Sequence, residues 1–183
     1  MKLGFKQIEP FLKKPDPHVR AVLVYGPDQG LVRERARLLG RHQVEDLQDP
    51  FGICVLEAAE LSENPARLME ETYAVPMFGG GKLVWIRGAG DKTAGAFRDY
   101  LDKPCDEALV IAEAENLTPR SSLRGLFEKA ENAAALPCYV EDGAQLQRTI
   151  GEILRDSGYE AERDAVLYLA QNLGGDRAVV RGA

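Results

Sequence analysis

Cysteine, histidine and long apolar runs are all scarce in this sequence, and each shortage excludes a class of protein. The 183 residues include only three cysteines, at positions 54, 105 and 138, and two histidines. Three cysteines and two histidines this far apart in the sequence form neither a disulfide framework nor a zinc site. We therefore expect the cysteines to be reduced thiols. No segment approaches the ~20 apolar residues of a membrane helix, and residues 1–6 lack the apolar core of a signal peptide. These shortages predict a cytoplasmic protein without membrane contact.

Positive charge is not in excess either. The formal net charge is −6, with 28% charged and 45% hydrophobic residues. Because proteins that bind duplex DNA normally present a basic face, this composition favours a protein partner over direct binding of nucleic acid. The chain length suits one well-packed core with a small second unit.

What the sequence does contain is an alternation of apolar strands and amphipathic helices. The predicted strands are residues 21–25, 53–56, 83–86, 108–112 and 136–140, and the predicted helices are residues 5–13, 31–46, 64–73, 94–101 and 120–130. Strands separated by helices of about 10–15 residues form parallel sheets through right-handed crossovers, with helices on both faces. The predicted fold class is therefore α/β, a three-layer sandwich around a parallel sheet.

The pattern changes after residue 142. Two amphipathic helices, residues 144–156 and 162–173, follow without a further strand. Two helices cannot bury both of their apolar stripes alone. We therefore predict an α/β domain over residues 1–142 and a small helical domain over residues 143–183, which we expect to be truncated.

One segment, residues 75–82, departs from every helical or strand period. Met77 and Phe78 lie there between Pro76 and three consecutive glycines, Gly79, Gly80 and Gly81. Proline and glycine prevent a helix or strand from forming around this pair and directing it into the core. We therefore expect the pair to form an apolar tip on a flexible segment. Because most large apolar residues belong to cores, the residues alone favour a locally buried lid over an exposed binding site.

The first strand is followed by a glycine turn and a helix, which is where phosphate-binding loops lie. Such a loop needs two glycines five positions apart, then lysine and a hydroxyl residue. Gly26 and Gly30 bound the turn, and Asp28 between them would repel an anion. Counted from Gly26, the motif positions hold Leu31, Val32 and Arg33. We interpret Gly26 and Gly30 as a degenerate phosphate loop.

No catalytic or metal-binding set emerges from the remaining residues. Glu113 and Glu115 follow the fourth strand and could hold magnesium, but we favour solvated side chains. Ser121 and Ser122 open a helix and are better explained as caps than as nucleophiles. His18 and His42 fall on surface segments, and Gly88-Ala89-Gly90 is too weak a match for a dinucleotide site. The sequence therefore predicts no enzyme, metal or cofactor.

Two alternatives remain open from the residues. One is a nucleotide-binding enzyme, a kinase or NTPase, that uses Gly26 to Gly30 for phosphate and Glu113 for a metal. The other is a domain that binds a small molecule in a closed apolar pocket at the carboxyl ends of the strands.

The order of short motifs resembles a known family. They are residues 24–26, 75–79, 108–111, 115–117, 120–124, 137–139 and 173–177. Together they look like the delta subunit of the bacterial DNA polymerase III clamp loader. The resemblance implies a RecA-like, AAA+ fold with a degenerate phosphate loop and no use of ATP. It also implies a collar domain beyond the end of this chain.

The same resemblance implies a role for the apolar tip. In that family an adjacent apolar–Phe pair fills a pocket on the sliding clamp, so Met77 and Phe78 would bind the clamp, the beta subunit. Gly79, Gly80 and Gly81 would act as a hinge. Methionine replaces the commoner leucine, a change that a pliant thioether tolerates. Other implied partners are the gamma or tau and delta prime subunits, and DNA through the assembly.

Overall fold

The computed structural model describes residues 1–74, 80–139, 147, 150–151, 154–155, 158–159 and 161–172. The strands are β1 (Ala21–Tyr25), β2 (Ile53–Glu57), β3 (Lys82–Arg87), β4 (Ala108–Ala114) and β5 (Ala133–Pro137). The α-helices are α1 (Phe5–Lys13), α2 (Gln29–Gly40), α3 (Ala58–Glu63), α4 (Ala66–Tyr73), α5 (Ala94–Asp102), α6 (Ser122–Lys129) and α7 (Arg163–Asn172).

The five strands form one sheet in the order β2-β3-β4-β1-β5, and neighbouring strands are parallel. Every residue of β1 is buried, as expected for a strand that helices cover on both faces. Leu23, Phe97 and Phe127 belong to the core on the α3–α6 side, whereas Val22 and Leu31 belong to the core on the α1–α2 side. The predicted three-layer α/β fold is confirmed.

The helix predicted for residues 31–46 is wrong at both ends, because α2 spans Gln29–Gly40. Asp28 caps its start, since the Asp28 carboxylate accepts a hydrogen bond of 2.9 Å from the Leu31 amide. At the other end Gly40 is tightly packed, and a Cβ there would lie 3.0 Å from the Leu47 side chain. The chain turns at that point, and the His42 amide donates to the Leu39 carbonyl.

The fifth strand lies three residues earlier than the predicted 136–140, and Val140 is outside the described residues. Three alanines fill most of this strand, and their high helix propensity hides it from pattern reading. Tertiary pairing decides the outcome. The Leu3 amide donates to the Ala135 carbonyl, and the Ala135 amide donates to the Met1 carbonyl. The N-terminal segment therefore covers the β5 edge of the sheet.

The sequence also missed α3, and the helix predicted over residues 64–73 begins only at Ala66, as α4. Glu57 and Glu60 supply a capping box that opens α3, directly after β2. The short helix α3 lies in the crossover after β2, where the sequence pattern predicts no helix.

In the second predicted domain, the described residues form a small apolar cluster. Ile150 is 1% exposed and packs with Leu154, Val166, Leu169 and Ala170. The two predicted stripes thus contact each other. The domain boundary at residue 142 lies outside the described residues and stays a prediction. Within the described part, no helix is long and apolar enough to cross a membrane.

Candidate functional site

The connection from β1 to α2 is only three residues long. Tyr25 ends the strand and Gln29 begins the helix, which leaves Gly26, Pro27 and Asp28 between them. A phosphate loop needs four residues between its two glycines before the lysine that opens the helix. Gly30, predicted as part of the loop, instead lies in the first turn of α2. The early start of this helix removes the space that a phosphate loop requires.

A side chain of the protein itself supplies negative charge at the start of α2. Asp28 is 3% exposed, and its carboxylate accepts the Leu31 amide at the helix N-terminus. The amide groups at this position attract anions, which is why phosphates bind there in other proteins. Here the Asp28 carboxylate takes that role, and it would repel a phosphate in the same place.

The backbone after β5 closes the turn from the other side. Gly26 has a φ of +153°, and a Cβ there would lie 1.8 Å from the Cys138 carbonyl oxygen. The Cys138 amide donates to the Tyr25 carbonyl at 2.7 Å, and Arg35 Nη1 donates to the Pro137 carbonyl at 2.9 Å. Gly26 is therefore required by conformation and by contact, and the turn is packed against its neighbour.

Glu113 does not lie free in solvent, so the sequence interpretation is corrected for this residue, while Glu115 is exposed. Partial burial raises the pKa of Glu113, an effect opposed by the Trp85 indole and by Arg87, Arg33 and Arg37. A divalent cation at Glu113 would face these guanidinium groups. Among the described residues, no three carboxylate, histidine or cysteine side chains gather as metal ligands.

The serine prediction is confirmed at Ser121, which caps α6. Its hydroxyl accepts from the Arg124 amide at 3.2 Å and donates to Asp91 at 2.6 Å. Asp91 also accepts the Leu123 amide at 3.0 Å. Hydrogen bonds from Ser121 and from the Leu123 amide lower the pKa of Asp91. A second helix at this edge of the sheet thus begins on a carboxylate of the protein.

The other reactive side chains show no sign of activation. Burial raises the pKa of the Cys54 thiol to about 11, which leaves it protonated and unreactive at neutral pH. His18 and His42 are exposed, as predicted, and His42 Nε2 lies 2.7 Å from the Leu12 carbonyl.

The predicted clamp-binding residues Met77 and Phe78, and the first hinge glycine Gly79, lie outside the described residues. Their flanks are described. Gly80 has a φ of +97° and open space around it. A Cβ at Gly81, by contrast, would lie 2.5 Å from the Gln43 carbonyl oxygen. Because β3 begins at Lys82, the described residues Gly80 and Gly81 lie at the amino edge of the sheet, opposite the β1–α2 turn.

A groove runs along the side of α2, over the faces of β2 and β3. Four exposed arginines line it, Arg33, Arg37, Arg41 and Arg87. It encloses about 770 Å³ and ends near Glu113 at the carboxyl edge. We call it the arginine groove. It is open and charged, unlike the closed apolar pocket expected of a small-molecule-binding domain. Sequence reasoning missed it, although the spacing of Arg33, Arg37 and Arg41 by four residues was visible.

Comparison with known proteins gives one sequence match and several fold matches. The chain is 25% identical over 175 residues to a probable DNA polymerase III subunit delta of Rickettsia prowazekii, covering 88% of this chain and 48% of the relative. No protein-family model matches the chain. The chain thus spans about half the length of that curated relative.

Among solved structures, the Bacillus subtilis DNA clamp loader delta protein matches with a TM-score of 0.70 at 17% identity, over 96% of this chain and 54% of that one. A DNA polymerase III gamma subunit-related protein of Thermotoga maritima matches with a TM-score of 0.50 at 13% identity, over 94% of this chain and 58% of that one. Domain III of the Thermotoga maritima replication initiation protein DnaA matches with a TM-score of 0.51 at 13% identity, over 96% and 77%. The chain shares its fold with these structures, and the predicted resemblance to the clamp-loader delta subunit is confirmed.

Proposed function

We propose, from its likeness in sequence and fold to DNA polymerase III delta subunits, that this chain is a non-catalytic part of a clamp loader. In this role it binds the sliding clamp and opens it during DNA replication in the cytoplasm. Its partners are the clamp, the neighbouring gamma or tau and delta prime subunits, and DNA through the assembly.

The observation that carries the proposal is the closed β1–α2 turn in a fold of the AAA+ group. Three residues join the strand to the helix, Asp28 caps the helix, and the backbone at Cys138 blocks the turn. A body without room for a phosphate at this position acts through contacts rather than through nucleotide hydrolysis. That is the division of labour expected of a subunit that works beside nucleotide-using neighbours.

We propose that the contact with the clamp is made by Met77 and Phe78. Burial of two large apolar side chains contributes roughly 3–6 kcal/mol. Association costs about 4–15 kcal/mol, so the pair must act as an anchor within a wider interface. Tyr73 and Gly80 flank the segment and are exposed, which leaves surface beside it for that wider contact. Once anchored, the body would hold a strained clamp interface open.

The test is a calorimetric titration of this chain with a bacterial sliding clamp. We expect Met77→Ala with Phe78→Ala to weaken binding by at least about 100-fold, since the anchor supplies several kcal/mol. Unchanged affinity would remove the proposed role of the pair, and no binding by the unaltered chain would remove the proposed function.

A matched control removes the same kinds of side chain elsewhere. Leu38 and Tyr159 are 40% and 66% exposed and lie far from residues 77 and 78 in the sequence. Leu38→Ala with Tyr159→Ala should leave clamp affinity within about twofold, because exposed apolar residues outside an interface contribute little. Equal losses in the control and the test variant would show that the effect is not local to the tip.

A further inference from the structure

The arginine groove carries an excess of positive charge, because four arginines line it against two carboxylates, Glu113 and Glu115. Within the described part of the chain, no carboxylate forms a salt bridge with Arg33, Arg37, Arg41 or Arg87. Three arginines elsewhere do form salt bridges, namely Arg20, Arg67 and Arg124, the last with Glu128 at 2.8 Å. Glu113 interacts electrostatically with Arg87, Arg33 and Arg37 but offsets only part of their charge. In a chain of net charge −6, four guanidinium groups against two carboxylates form a local field of opposite sign.

The arginines are arranged as a line rather than as a cluster. Arg33 and Arg37 share one face of α2, and Arg41, the C-cap residue in α-helical conformation, continues the row. Residues four apart lie ~6 Å apart along the helix axis. Arg87, at the end of β3, flanks Glu113 in the neighbouring strand, and both lie at the carboxyl end of the groove. A row of this kind suits a ligand that carries several negative charges along its length.

The floor of the groove is aliphatic. Val55 is 45% exposed, and the partly buried Ile53 and Leu47 line the groove beside it. Val55 and Ile53 belong to β2, which is an edge strand of the sheet. At the opposite edge the N-terminal segment pairs with β5, so the two edges differ in how they are covered. A ligand that fits here has apolar groups as well as charges.

These features distinguish between two kinds of polyanion. A single-stranded nucleic acid binds on exposed aromatic rings as well as on cations. The aromatic residue that lines the groove, Trp85, is only 9% exposed and offers no open ring face. A peptide with carboxylates and aliphatic side chains matches both the row of arginines and the aliphatic floor.

We propose that the arginine groove binds an acidic segment of a partner protein, in which aliphatic side chains alternate with carboxylates. The carboxylates pair with the guanidinium groups, and the aliphatic side chains cover Val55 and Ile53. None of the residues that line the groove belongs to segment 75–79, so the proposal does not rest on clamp binding.

The experiment is fluorescence anisotropy with the full chain and a labelled peptide of alternating glutamate and valine. The arginine row on α2 is ~12 Å long and an extended peptide rises ~3.3 Å per residue, so about ten residues suffice. We expect saturable binding that weakens as salt is raised, because the charges are exposed. An oligoglutamate of the same length should bind more weakly, because it lacks the aliphatic contacts. Oligothymidylate of similar charge should do so as well.

The test variant is Arg33→Ala with Arg37→Ala and Arg41→Ala. We expect peptide binding to weaken by at least about tenfold while the unfolding midpoint is retained, since alanine is a good helix former on an exposed face. Arg98→Ala with Arg120→Ala, two exposed arginines outside the groove, is the control and should bind as the unaltered chain does. No saturable binding of the peptide, equal loss in the control, full binding by the test variant, or tighter binding of oligothymidylate would each overturn the proposal.

Discussion

The two halves of the carboxyl edge of the sheet differ in charge, because one is closed by a carboxylate of the protein and the other is lined mainly by arginines. Over β1 and β5, the helix N-terminus is occupied by Asp28 and the turn is packed against Cys138. Over β2, β3 and β4, the arginine groove is open and its cations have no salt-bridge partner among the described residues. In the first half a carboxylate of the protein fills the anion position, whereas in the second the arginines outnumber the two carboxylates, Glu113 and Glu115, that line the groove. The comparison teaches that one edge of a sheet can be closed to anions at one helix N-terminus and still present exposed arginines beside it.

The strongest way to break the closed half is to add a side chain to it. Gly26→Ala should lower the free energy of unfolding by about 3 kcal/mol or more, because the residue has a φ of +153° and its Cβ would meet the Cys138 carbonyl. Urea denaturation measures the change. Gly125→Ala on α6, where a Cβ meets nothing, should be neutral or stabilise by about 0.5–1 kcal/mol. If both variants were equally stable, the turn would not be packed as described.

A smaller effect is expected from removing Asp91, the second carboxylate that caps a helix at the carboxyl edge of the sheet. Asp91→Ala should cost about 1 kcal/mol near pH 7, because it leaves the Ser121 hydroxyl and the Leu123 amide without an acceptor.

The pH dependence of this effect has a definite sign. The pKa of Asp91 is lowered in the folded state, so its contribution is present above the ordinary value of 3.8 and is lost as the pH falls through the folded pKa. The stability difference between the two proteins should therefore shrink below pH 3.8 in urea titrations. A difference that grows under acid would contradict the assignment.

The smallest effect is expected from nucleotide, and this measurement tests the difference between the two halves most directly. ATP with magnesium should leave the thermal midpoint unchanged, whereas tight binding would raise it by several degrees. A control separates the two halves, because nucleotide phosphates could also contact the arginine groove. A shift that persists in Arg33→Ala with Arg37→Ala would place nucleotide at the β1–α2 turn and favour the kinase or NTPase alternative. A shift that disappears in this variant would report the groove instead.

The sequence predicted the layers of this fold better than its turns. Strands such as residues 21–25 were readable because a continuous apolar run fits a strand covered on both faces. The alanine strand β5 was misplaced because its pairing with the N-terminal segment is a long-range effect that local propensity does not contain.

The site was predictable only in part, because local sequence patterns do not contain long-range contacts. The missing lysine and hydroxyl were visible in one dimension, and so was the repulsive Asp28. The early start of α2 was not, because it depends on that carboxylate reaching the Leu31 amide. The arginine groove needed the fold as well, since Arg87 joins the α2 arginines only through the position of β3. Met77 and Phe78 remain a prediction that rests on resemblance.

The three-residue connection between β1 and α2 also limits what engineering could restore. Exchanging individual residues for the lysine and hydroxyl of an ATPase would place them on a helix that has already begun, one turn out of position. Recovery of nucleotide binding would need an insertion that lengthens the connection and a rerouting of the chain after β5. We therefore expect that no series of single substitutions would restore a phosphate loop between β1 and α2.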